Sequence, residues 1–202
     1  MLNLTTEQVQ LITLVGSVLL AFISFVFTYL RSRWLKRLDI QYEFVTAQLR
    51  DLYGPLYAVT KANSRTWNAF RAIFRPGRRL FSDASDPMTE DEIKVWAYWV
   101  THVFQPSNRR MKQVIESHAH LFTGDGMPQC ALDFMAHADM FELVVANWES
   151  GDFSRLFTPI PYPPDLDAYI EREYQRVSDR HAKLGGRRIG YSFRRPARLA
   201  RA

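Results

Sequence analysis

The pattern of hydrophobic and polar positions divides the chain sharply. From Val9 to Leu30 there is no Asp, Glu, Lys or Arg, and the stretch closes abruptly at Arg31-Ser32-Arg33. At about 1.5 Å per helical residue, a run of this length matches a hydrocarbon core of roughly 30 Å. The pattern predicts one transmembrane helix over residues 9–30. A short extracytoplasmic end (residues 1–8) precedes it. A helical domain (31–184) and a basic, flexible tail (185–202) follow.

Beyond the span the periodicity is helical throughout, with no period-2 run of strand length. The fold class expected is therefore all-α: an N-terminal transmembrane helix continuing into a cytoplasmic helical bundle. The first helix should run to about Tyr53, where Gly54-Pro55 interrupts it, because proline lacks a donor and disfavours helix in the residue before it. A second helix is expected over Leu56–Phe74, ending at Arg75-Pro76-Gly77. Thr89-Glu90-Asp91-Glu92 reads as a capping box opening a helix that stops near Phe104, before Pro106. Ser107 or Asn108 should cap the next helix, which reaches about Phe122, and Thr123-Gly124-Asp125-Gly126 is a turn. A helix over Pro128–Glu149 is stopped by Gly151. The proline-rich segment Thr158–Pro164 must be extended, as a strap across its own domain in preference to a docking peptide. The last helix, about Asp165–Leu184, should end at Gly185-Gly186.

One heptad face changes character along the first helix. Within the span it is mostly small or weakly polar (Gln10, Leu14, Ser17, Ala21, Ser24 and Thr28), and Thr13, Ser17 and Ala21 form a small-xxx-small ladder. Past Arg31 the same face is apolar, with Leu38, Tyr42, Val45, Leu49, Leu52 and Leu56. Helices in lipid associate through small residues and interhelical hydrogen bonds, whereas helices in water need an apolar seam. The membrane part, with no second span in this chain, points to a contact with a helix of another chain, in a hetero- or homo-oligomer. The cytoplasmic part is expected to pack on later helices of the same chain.

Charge sets the orientation. Residues 31–37 carry Arg31, Arg33, Lys36 and Arg37, against Glu7 alone before the span. By the positive-inside rule the N-terminus lies outside and the bulk in the cytoplasm. A cleaved signal peptide fits poorly, because the basic residues follow the apolar run instead of preceding it. The net charge of +5 conceals an acidic body between two basic segments. Residues 38–179 contribute −6 and residues 180–202 contribute +8. This is not the charge distribution of a nucleic-acid-binding domain, and no nucleic acid is expected as a partner. It suits contact with anionic headgroups through Arg31, Arg33, Lys36, Arg37, Arg187, Arg188, Arg194 and Arg195. A solvated charge run is the equal alternative for the tail. The lone Cys130 cannot form an internal disulfide.

Candidate chemistry is sparse. His118, His120, Cys130, His137, Asp139 and Glu142 include metal-ligating types, but His118 and His120 are two apart and face apart on a helix. No His-Glu-x-x-His, Cys-x-x-Cys, Gly-x-Ser-x-Gly or phosphate-binding loop occurs. No catalytic residue, metal or cofactor is assigned. Trp67, Trp96, Trp99 and Trp148 read as core.

The run Leu52-Tyr53-Gly54-Pro55-Leu56-Tyr57 after a single span, with Trp148-x-x-Gly151-Asp152-Phe153 and a proline-rich strap before a Tyr-bearing helix, resembles small bacterial membrane-anchored proteins of uncharacterised function. The resemblance implies a location in the plasma (inner) membrane and no activity. The sequence thus leads to a membrane-anchored helical interaction protein, an accessory or scaffold subunit of a membrane complex. The rival readings are a membrane-bound enzyme using His118, His120 or His137, and a homo-oligomeric pore-forming effector.

Overall fold

A computed structural model describes residues 6–77, 86–124 and 126–192. Among them every regular element is helical: α1 (Thr6–Ala47), α2 (Gly54–Ile73), α3 (Glu90–Trp99), α4 (Gln105–Ser117), α5 (Gln129–Glu149) and α6 (Leu166–Ser192). Two compact units divide the chain, residues 1–43 with 183–202, and residues 44–182.

In the first unit, α1 carries the apolar run. This helix is long and apolar enough to cross a membrane. Near the end of the run Phe25 stacks on Tyr29, and the Arg33 guanidinium lies 5.8 Å from the centre of the Tyr29 ring. Further along, Leu38 and Leu184 are buried. A Cβ placed at Gly185 would sit 3.6 Å from the Tyr42 ring, an ordinary packing distance. Gly185-Gly186 therefore does not end α6, which continues to Ser192.

The second unit corrects two expected breaks. Gly54-Pro55 does not interrupt the helix. A π-helical turn, Gln48–Tyr53, leads directly into α2, and the Gly54 N–H donates to the Leu49 carbonyl five residues back. Proline in an ordinary helix clashes with the carbonyl four residues earlier and leaves it without a donor. The wider turn accommodates Pro55 in the first turn of α2. Only glycine fits before it: a Cβ at position 54 would lie 2.4 Å from the Leu49 carbonyl oxygen.

The same device recurs at Gln105-Pro106. A π-helical turn, Val100–Phe104, joins α3 to α4, and the Gln105 N–H reaches the Val100 carbonyl. Ser107 and Asn108 are therefore buried interior residues of α4 and cap nothing.

Elsewhere local chemistry acts as expected. Thr89 and Glu92 form both halves of the capping box on α3. Gly124, Gly126 and Gly151 all have positive φ at their turns. Arg75 also has positive φ, and its buried side chain pairs with Asp86 at 2.5 Å and Glu92 at 3.4 Å.

The apolar seam after Arg31 is consumed internally where it enters this unit, for Val45, Leu52 and Leu56 are all buried. Helix α4 packs on α2 and α5, and Arg109–Glu142 (2.7 Å) and Lys112–Asp139 ion pairs bridge α4 and α5. A core of Phe70, Phe74, Trp96, Val100, Val144 and Trp148 joins α2, α3 and α5.

Candidate functional site

The segment between α5 and α6 is the strap anticipated from its prolines, and three side chains hold its carbonyls. Trp148 Nε1–H donates to the Arg155 carbonyl at 2.8 Å, and Trp96 Nε1–H to the Leu156 carbonyl at 3.0 Å. His137 Nδ1 lies 2.7 Å from the Ile160 carbonyl. A carbonyl only accepts, so the proton sits on Nδ1 and Nε2 is left as an acceptor. Burial holds the His137 imidazole below its ordinary pKa, partly offset by the bond to Ile160. The ring is therefore neutral at physiological pH.

Between strap and helices lies a cavity of about 580 Å³, within the usual range for small-molecule sites. Its aromatic wall comes from four separate stretches of chain: Trp67 on α2, Trp96 on α3, Phe104 at the π turn and Phe157 on the strap. Trp67 packs edge-on to Phe104 at 5.5 Å and to Trp96 at 6.4 Å, and Trp96 lies 5.8 Å from Phe157.

Polar groups cluster on other parts of the lining. Buried Gln105 donates to the Ala138 carbonyl at 3.0 Å, and Asn108 donates to Gln105 Oε1 at 3.4 Å. The Tyr162 hydroxyl donates to Asp167 Oδ1 at 2.6 Å, and the Ser64 hydroxyl to Oδ2 at 3.4 Å. Burial, reinforced by the Asp167 carboxylate and that hydrogen bond, pushes the Tyr162 hydroxyl well above its ordinary pKa. It stays protonated and keeps donating. Asp167 is the one formally charged side chain among the described residues that line the cavity.

The histidine and cysteine constellation is not brought together. His137 lines the cavity; His118 and His120 sit beyond the end of α4, and neither is in the lining. His118 Nδ1 bonds back to the Val114 carbonyl at 3.1 Å. Burial raises the Cys130 thiol, aided by Asp165, and so disfavours the reactive thiolate. Asp139 and Glu142 are committed to Lys112 and Arg109. Among the described residues no three metal-ligating side chains converge.

Thr13, Ser17, Ala21, Ser24 and Thr28 are all exposed on α1. The Ser17 hydroxyl donates to the Leu14 carbonyl and that of Thr28 to the Ser24 carbonyl, each at 2.8 Å. Those hydroxyls are thus satisfied by their own helix. Of the basic residues proposed for headgroups, Arg31, Arg33, Lys36, Arg37 and Arg187 are exposed. Arg33 also donates to the Tyr29 hydroxyl at 3.3 Å. The Arg188 side chain, Arg194 and Arg195 lie outside the described residues.

The cavity escaped sequence reasoning because its lining is drawn from positions 63 to 167. In the sequence Trp67 and Trp96 read only as core, and Asp167 carries no signal at all. Searches of known proteins add nothing: no family model, curated protein or solved structure matches this chain.

Proposed function

We propose that the protein is a membrane-anchored helical interaction protein, an accessory or scaffold subunit of a membrane complex. One observation carries this reading. From Leu11 to Leu30 the large apolar side chains other than Val26 are 51–69% exposed, over a length suited to a bilayer. None of the described residues covers them, which supports a surrounding of lipid and a neighbouring helix. In this reading the N-terminus is outside, the helical bundle is cytoplasmic, and the membrane is the plasma (inner) membrane. Thr13, Ser17, Ala21, Ser24 and Thr28 face a partner helix. Arg31, Arg33, Lys36 and Arg37, with the cations of the C-terminal segment, contact anionic headgroups.

The enzyme reading places His118, His120 or His137 in an unrecognised site; of the three, the cavity lining contains His137. Mild-detergent extraction from native membranes tests the proposal. A defined particle containing a second membrane chain supports it. A monomer with no co-purifying chain overturns it, and a homo-oligomer that makes liposomes leak favours the pore reading instead.

A further inference from the structure

The cavity between strap and helices has two features that together select a ligand. Its wall is aromatic, built from Trp67, Trp96, Phe104 and Phe157, with Tyr162 beside them. Among the described lining residues the one formal charge is the Asp167 carboxylate, which accepts from the neutral hydroxyls of Tyr162 and Ser64. No Lys or Arg is found among the described lining residues. Lys61, outside the lining, feels the Asp167 charge but is itself held by Glu171 at 2.9 Å.

Aromatic faces carry negative charge and attract cations, most strongly when water is excluded. A carboxylate held by two hydroxyl donors keeps acceptor capacity for a third. The unprotonated Nε2 of His137, fixed as an acceptor by the Nδ1 bond to Ile160, adds a second group that repels anions and accepts donors. The described lining therefore supplies acceptors, π-faces and neutral amides, with no cationic donor for a carboxylate or phosphate.

We propose that this cavity binds an organic ammonium: a protonated or quaternary amine carried on an apolar, ring-sized body. The ammonium sits at Asp167, and the body lies against Trp67, Trp96 and Phe157. This goes beyond the membrane-partner reading and does not depend on it, since all the groups belong to residues 63–167.

The experiment is tryptophan fluorescence titration of the full chain in a nonionic detergent, because Trp67 and Trp96 report directly from the wall. The probes are 2-phenylethylamine, its N,N,N-trimethyl derivative, and two controls that keep the phenylethyl body, 2-phenylethanol and 3-phenylpropionate. The expected result is saturable binding of both ammonium probes, at least about tenfold tighter than the neutral alcohol, and weaker still for the carboxylate. Asp167→Asn should abolish the preference for ammonium over alcohol while leaving the alcohol's affinity unchanged. Equal binding of all four probes, or no saturable binding, overturns the proposal. The ranking is read on the natural chain, so the test stands even if Asp167→Asn fails to fold. A folded Asp167→Asn protein that keeps the preference also overturns it.

Discussion

His137 and Ile160 are joined across 23 residues of sequence by a hydrogen bond of 2.7 Å, from the imidazole Nδ1–H to a backbone carbonyl. This bond fixes three things at once. It ties the strap to α5, it sets the tautomer, and it places a neutral ring in the lining of the cavity. Replacing His137 with Ala leaves the Ile160 carbonyl without its donor and opens space in the packing against Phe141 and Tyr162. The expected loss is about 1–3 kcal/mol of unfolding free energy, measured by denaturant titration in detergent.

The same ring gives the protein a predictable response to acid. Burial lowers the folded-state pKa of His137 below its ordinary value of 6.5. The unfolded chain therefore takes up this proton first as pH falls. The ring's contribution to stability is complete above about pH 6.5 and is lost as pH drops toward the folded value. Tyr162, whose ring packs edge-on against the imidazole, stays protonated throughout that window. Unfolding midpoints compared above and below this window should fall on acidification in the natural chain. The fall should be smaller in His137→Gln.

Gly54 is held by the Leu49 carbonyl. A methyl group at position 54 would meet that oxygen at 2.4 Å, and a backbone atom inside a helical turn cannot move aside cheaply. Gly54→Ala should destabilise the protein by about 1–3 kcal/mol, although alanine is ordinarily the better helix former. A neutral or stabilising effect in thermal unfolding would show that the π turn had reverted to an ordinary one.

How much of this was readable beforehand depends on the range of the interaction. Thr89 and Glu92 signal their helix start within four residues, and the capping box forms. The prolines of the strap exclude helix by themselves. Gly54-Pro55 and Gln105-Pro106 misled because a proline's local rule assumes an ordinary helix before it, and a π turn relaxes that rule at both sites. Gly185-Gly186 misled because glycine permits a helix end without enforcing one, and α6 runs on to Ser192. The cavity was illegible for a different reason. His137 is held by a backbone carbonyl, which has no sequence signature, and Asp167 acquires its meaning only from aromatic rings on other helices.

Orientation can be tested with single cysteines in a chain whose own Cys130 is replaced by Ala. A membrane-impermeant maleimide should label Thr6→Cys in intact cells. It should reach Lys36→Cys only after the membrane is opened. Labelling of Lys36→Cys in intact cells would reverse the proposed topology.

The most direct test of the central claim is a photocrosslinking amino acid placed in α1 in native membranes, at position 17 in one protein and position 19 in another. These positions lie on opposite sides of the helix. The account predicts a discrete protein adduct from position 17, weakened when Ala21→Leu is added, and only lipid adducts from position 19. Protein adducts of equal yield from both positions, or from neither, would contradict a partner-binding face in the membrane.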